Sequence, residues 1–332
     1  MKTTTIQQSL DSALLHHTAG DLSKAESIYR QILQTESNHP VALHLLGVIA
    51  HQTGKNNIAL DLITKALVIK PNYAAAYVNL GNALKNLGRP EEAIVNYEKA
   101  LAIKPEFAEA HSNLGNVLRQ IGQLEEAFAS CHKALSIKPD FAEAHSNLGV
   151  ALKEMGRLDE AVARYRKALE IKPDYVEAHY NLGLALHELG LLEEAIFSYN
   201  SAQSNHSRAK TLECLYALER YDDFYLSLDE LLAVDKNNIA AAAISAFASQ
   251  QLNRSDPHPF CKQPMDFVRV YDALDGPNNS DGLLHRLIDE VKSRATIWEP
   301  AGKTTKNGFQ STNNLFFQSR RTACRSGKNH PG

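Results

Sequence analysis

Few of the features that mark an enzyme or an exported protein occur in this 332-residue sequence. Its four cysteines, Cys131, Cys214, Cys261 and Cys324, are scattered and form no C-x-x-C pair. That argues against a disulfide scaffold and a structural zinc site, and it fits a reducing compartment. No run approaches the roughly 18 apolar residues of a membrane span, and residues 1–15 lack the apolar stretch of a signal peptide. The cytoplasm is therefore the expected location. Neither sign of charge is in excess: 35 Lys and Arg against 38 Asp and Glu leave a net charge of -3. Neither a nucleic-acid partner nor a membrane is expected. There is no Gly-rich phosphate loop, no G-x-S-x-G and no pair of catalytic carboxylates. At 44% apolar and 22% charged residues, the composition is that of a soluble folded chain.

What is present is a repeat. AEAHSNLGNVL at 108–118 returns as AEAHSNLGVAL at 142–152, an offset of 34 residues. Carried both ways, the offset defines six units, starting near 6, 40, 74, 108, 142 and 176. Position 8 of each unit is Ala13, Gly47, Gly81, Gly115, Gly149 and Gly183, and position 20 is alanine throughout, from Ala25 to Ala195. Position 27 is Ile32 and then Ala66, Ala100, Ala134, Ala168 and Ala202. Small residues at 8 and 20 let two antiparallel helices approach, and position 27 does the same against the next unit. Glycine at 15, from Gly20 to Gly190, supplies a left-handed end to the first helix. Proline at 32 (Pro71, Pro105, Pro139, Pro173) stops the second. Apolar and aromatic residues at 4, 7, 11 and 24, such as Tyr77, Leu80, Leu84 and Tyr97, have the spacing of an amphipathic helix.

Over roughly 6–203 this pattern resembles the tetratricopeptide repeat (TPR) family. The resemblance implies an all-α fold, a right-handed TPR superhelix (α-solenoid) of helix-turn-helix repeats with a concave inner groove. Such stacks bury their core between neighbours and need several units and a cap. At 204–252 the register slips. ERYDDF at 219–224 marks a degenerate seventh unit starting near Asn205, and NIAAAAISAFASQQL at 238–252 reads as a capping helix.

Position 6 carries the main functional expectation. It is Asn79, Asn113, Asn147 and Asn181, on the first helix and turned toward the concave side, with Asp11 and Leu45 in the first two units. An asparagine amide offers one acceptor and one donor group, which matches what an extended main chain presents. Asn82 and Asn116 at position 9 extend the row, until Val150 and Leu184 interrupt it. A purely structural use, bonding a neighbouring helix, competes with this reading. The run is similar to the asparagine ladder of protein O-GlcNAc transferases, and HLLGVIA at 44–50 is similar to bacterial repeat proteins of that class. The lysines of a carboxylate clamp are missing: position 2 is Ala75, Glu109, Glu143 and Glu177, and position 5 is Val78, Ser112, Ser146 and Tyr180. His111, His145 and His179 recur at position 4 and are expected in the core, not as metal ligands.

Beyond a linker at 253–264 the composition changes. The stretch 298–316, WEPAGKTTKNGFQSTNNLF, resembles the opening of a 2-oxoglutarate/Fe(II)-dependent oxygenase domain, and 265–318 is read as a truncated segment of that kind, poorly folded and mixed α/β. Such an oxygenase implies two histidines and a carboxylate on iron. None of the 14 histidines is followed two residues later by Asp or Glu. The expectation is a reading frame that ends early, a remnant unable to bind iron, and a basic disordered tail at 319–332. The favoured expectation is a protein-interaction scaffold, not an enzyme, that needs no cofactor and binds extended polypeptide in the concave groove. The alternatives are the recognition half of a truncated oxygenase and the substrate-recruiting region of a glycosyltransferase-like protein.

Overall fold

The structure, a computed structural model, describes residues 5–254 except residue 237. All regular structure among the described residues is helical. Residue contacts divide the chain into two compact units, the first ending at Leu191 and the second beginning at Leu192. The division falls inside the sixth repeat, not at 203, where the sequence pattern ends.

Unit 1 is a succession of helix pairs. Its first helices are α1 (Ile6–Thr18), α3 (Pro40–Gln52), α5 (Ala74–Asn86), α7 (Ala108–Gln120), α9 (Ala142–Glu154) and α11 (Val176–Glu188). Its second helices are α2 (Leu22–Thr35), α4 (Asn56–Ile69), α6 (Pro90–Ile103), α8 (Leu124–Ile137) and α10 (Leu158–Ile171). Each first helix of unit 1 ends two residues before a glycine in the left-handed region, as at Gly88 with φ 72°. There the Arg89 N–H bonds the Leu84 carbonyl and the Gly88 N–H that of Lys85, both at 3.0 Å. These two bonds satisfy carbonyls that the helix end would leave bare.

Close packing within a pair comes from a socket. A Cβ placed on Gly81 would stand 2.6 Å from Cε1 of Tyr97, and one on Gly149 equally close to Tyr165. Position 8 is therefore the floor on which the position 24 side chain lies, and Tyr97 and Tyr165 are fully buried there. The alanines at positions 20 and 27 beside them are also sealed from solvent. The turn into each next unit carries a second repeated brace. Lys70, Lys104, Lys138 and Lys172 place their ammonium groups 4.7, 4.4, 4.6 and 4.8 Å from the ring centres of Tyr73, Phe107, Phe141 and Tyr175. Each such cation–π contact contributes about 0.5–1 kcal/mol at a partly exposed site. Successive first helices also touch directly, α3 with α5, α5 with α7, α7 with α9 and α9 with α11. No two second helices of unit 1 approach as closely among the described residues, which puts the first helices on the inside of the stack's curve.

Unit 2 contains α12 (Leu192–Ala202), α13 (Asn205–Ala217), α14 (Tyr221–Val234) and α15 (Ile239–Gln251). The slip in register has a local cause. α12 has 11 residues against 14 for the second helices of unit 1. The turn after it is only Gln203 and Ser204, with Gln203 at φ 50°. Ser204 then caps α13 by accepting from the Ser207 N–H at 3.0 Å. The period resumes from there: α15 starts 34 residues after α13, has the same 13 residues, and is followed by Asn253 at φ 50°. The helix read as a cap thus has the length and closing turn of a first helix. Apart from residues 253 and 254, the linker, the oxygenase-like segment at 265–318 and the basic tail lie outside the described residues.

Candidate functional site

On α7, buried positions alternate with one half-open stripe. Ala110, Leu114, Val117 and Leu118 are buried, Asn113 and Asn116 are half-buried, and Glu109 and Gln120 are exposed. At about 100° per residue, positions 2, 6, 9 and 13 fall within roughly 60° of one another. The same stripe is Ala75, Asn79, Asn82 and Asn86 on α5, Glu143, Asn147, Val150 and Glu154 on α9, and Glu177, Asn181, Leu184 and Glu188 on α11. Since α5, α7, α9 and α11 touch in series, the stripes lie side by side.

The six asparagines at positions 6 and 9 are all half-buried, whereas Asn86 at position 13 is exposed, and the six are not equivalent. Asn147 donates its amide N–H to Ser112 Oγ on the preceding first helix at 3.0 Å. Asn79 does the same toward His44 Nε2 at 2.8 Å. An amide N–H can only donate, so Nε2 accepts and the His44 proton sits on Nδ1, 2.8 Å from the Tyr73 hydroxyl. Both bonds run from position 6 to position 5 of the preceding unit, where Asn113 meets Val78, which has no acceptor. Asn113 and Asn181 have no side-chain partner among the described residues. At position 9, Asn82 accepts from the Tyr97 hydroxyl at 2.7 Å, and Asn116 accepts weakly from Arg119 at 3.3 Å. In the unit starting at 142, Val150 replaces the asparagine and the buried Tyr165 hydroxyl lacks a partner. Asn82 therefore serves its own helix pair.

The position 4 histidines have a role that the periodicity alone did not reveal. The Nε2–H of His111, His145 and His179 donates to the carbonyls of Pro105, Pro139 and Pro173 at 3.0, 2.9 and 2.9 Å. They tie each first helix to the turn before it. His145 is buried, whereas His111 and His179 are half-buried rather than core. Burial lowers the His145 pKa, with the Pro139 bond acting the other way. His44 is more completely sealed, and burial lowers its pKa to about 4. Among the described residues no three metal-binding side chains converge, and no helix is long and apolar enough to cross a membrane.

The charged side chains at positions 12 and 13 form a second row. Arg119 pairs with Glu154 at 2.7 Å and Lys153 with Glu188 at 3.2 Å, each across one repeat. The ion pairs bind neighbouring first helices to each other, while Glu109, Glu143 and Glu177 stay exposed at position 2 of the stripe.

Comparison with known proteins agrees with the repeat fold. A model described as TPR repeat matches 86–122, 115–156 and 151–190, and one described as tetratricopeptide repeat matches 62–95. A solved MamA protein is 31% identical, over 52% of this chain and 94% of that one, with a TM-score of 0.43. PilF of Pseudomonas aeruginosa is 21% identical, over 63% of this chain and 97% of that one, with a TM-score of 0.55. The APC/C hetero-tetramer Cut9-Hcn1 gives a TM-score of 0.63 at 17% identity, covering 71% of this chain and 48% of that one. The last two are likenesses of fold. No curated protein matches the chain.

Proposed function

We infer, for a chain that belongs to the tetratricopeptide repeat proteins, that it is a protein-interaction scaffold holding an extended polypeptide against its first helices. The observation that carries the reading is the stripe of position 6 asparagines on α5, α7, α9 and α11, half-open and with unspent hydrogen-bonding capacity. Asn113 and Asn181 keep the whole amide. Asn79 and Asn147 use one N–H between helices and keep Oδ1 and the other N–H. Amides at one per repeat can bond the carbonyls and N–H groups of a main chain and are indifferent to its side chains. Position 6 thus joins neighbouring repeats at two helices and faces the ligand at all four. Of the position 9 pair, Asn116 is the better contact, because the Asn82 carbonyl is held by Tyr97. The reading is of binding without catalysis or a cofactor. The buried free thiols Cys131 and Cys214 suit the reducing cytoplasm it takes as its setting.

The test uses random 12-residue peptides displayed on phage through their C-termini, selected on the full chain. Synthetic, C-terminally amidated copies are then titrated by fluorescence anisotropy. Asn113→Ala with Asn181→Ala is expected to weaken binding at least tenfold with an unchanged thermal midpoint. Single alanine changes at the uncharged positions of the peptide are expected to cost much less. Selected peptides that bind the double variant as tightly as the parent would falsify the amide-stripe reading.

A further inference from the structure

The ion pairs that cross the repeats leave one cation over. Position 12 is Lys85, Arg119 and Lys153 on α5, α7 and α9, and position 13 of the following unit is Gln120, Glu154 and Glu188. Arg119 and Lys153 reach their acids at 2.7 and 3.2 Å. The same one-repeat step joins His17 Nε2 to Gln52 Oε1 at 2.9 Å, so the geometry does not depend on charge. At Lys85 the step finds Gln120, a neutral side chain. No carboxylate lies within ion-pair reach of Lys85 among the described residues.

Lys85 is half-buried. Burial lowers its pKa from the usual lysine value, while the charge of Glu177, on α11, acts in the opposite direction. A cation that has lost part of its water and gained no partner is poised to take one, because the desolvation that pairing demands has partly been met. Its surroundings select the partner. Arg119 and Lys153 are already paired, so among the described position 12 side chains a single ammonium, that of Lys85, faces the stripe without an ion pair. Phosphate chains and nucleic acid need several basic groups together, and the chain as a whole carries a net charge of -3. One carboxylate matches one ammonium. The neighbouring α7 presents Asn113 for the adjoining main chain.

We propose that Lys85 is a specificity-determining residue that takes a side-chain carboxylate of the bound polypeptide, so that the segment lying on α5 and α7 carries an aspartate or glutamate. The proposal rests on the reading of the first-helix face as a polypeptide site. It differs from capture of a chain terminus, because the acid is internal to the segment.

The selected peptides test it, since display through the C-terminus leaves only internal acids available. The enriched sequences should share an Asp or Glu at one place. Changing that residue to Asn or Gln in an amidated peptide should lower affinity about tenfold, and Lys85→Gln in the protein should do the same. Both changes together should cost little more than either alone, the signature of a direct pair. Gln120→Glu gives Lys85 the internal partner that Arg119 and Lys153 already have. It should weaken the acidic peptide by a similar factor without lowering the thermal midpoint. Peptides that show no acid preference, or one unchanged by Lys85→Gln, overturn the proposal. If such peptides still lose affinity in the Asn113 and Asn181 double variant, the amide stripe stands and the anchor alone falls. If free carboxyl-terminal peptides bind and internal acids do not, the terminal source replaces the side-chain one and the proposal fails. A selection that enriches nothing overturns both readings.

Discussion

The helix pair α5–α6 in unit 1 and the pair α13–α14 in unit 2 answer one packing problem in opposite ways. In the first, Gly81, Ala93 and Ala100 clear the space and Tyr97 fills it. In the second, the corresponding residues are Leu212, Phe224, Leu228 and Leu231, all buried. Here no small residue admits a large one; four large apolar side chains interlock. The helices α13 and α14 make fewer close backbone approaches than any pair in unit 1, as bulk at the contact requires. The aromatic rings of Tyr216, Tyr221, Phe224, Tyr225 and Phe247 stand beside one another here, with neighbouring centres 5.1 to 6.1 Å apart. The repeat signature therefore describes one solution to the helix hairpin, the one that keeps a fixed 34-residue spacing. The fold outlives it.

The contrast breaks most readily at Phe224, which occupies a site that is alanine in the units of unit 1. If unit 2 is held by bulk, Phe224→Ala should cost about 3–5 kcal/mol, the range for deleting a buried aromatic. Chemical denaturation followed by hydrogen exchange across 205–251 would read it. A loss below about 1 kcal/mol would mean that α13 and α14 can close onto an alanine as the pairs of unit 1 do. The two units also differ in acid response, because the buried histidines among the described residues, His44 and His145, belong to unit 1. With its pKa lowered to about 4, folded His44 stays neutral where the unfolded ring takes a proton near 6.5. The unfolded state then binds more protons, so stability is complete above pH 6.5 and falls as the pH drops toward 4. Full expression of the shift is worth about 3 kcal/mol at 1.36 kcal/mol per unit. Urea midpoints at pH 7 and 4.5 should separate for the parent chain and converge for His44→Gln. Equal separation in both would assign the acid sensitivity to other groups.

Much of unit 1 was legible in the sequence because its determinants are local or strictly periodic. Gly88 announces a left-handed turn wherever it stands, and Gly81 with Tyr97 repeats as a pair at 34-residue steps. The asparagine stripe was legible as a period for the same reason. Its internal bonds were not, since Asn147 to Ser112 and Asn79 to His44 each depend on a side chain 35 residues earlier. The proline carbonyls that receive His111, His145 and His179 escaped notice because main-chain acceptors leave no mark on composition. Lys85 was hidden more deeply: what distinguishes it is the missing acid at Gln120, visible only once Arg119 and Lys153 are seen to be paired. In unit 2 the alanines of α15 carry no signature, so its likeness to a first helix shows in spacing and in Asn253 but not in residue type.

The smallest expected effect tests whether unit 2 has departed from the repeat in packing alone or in its turns as well. Glu219 stands where the units of unit 1 have glycine, and it adopts the same left-handed conformation, φ 58° beside values of 72° to 83°. A residue with a Cβ pays about 1 kcal/mol or more there, part of which it recovers because glycine loses more freedom on folding. Glu219→Gly should therefore raise stability by about 0.5–1 kcal/mol, and Gly88→Glu should lower it by a similar amount. Reciprocal shifts would show one turn serving both packing schemes, so that the two units differ only in how their helices meet. If Glu219→Gly destabilises instead, the glutamate has become part of the α13–α14 turn in its own right. Unit 2 would then be a second design for the hairpin, distinct from the first in its turn as well as its core.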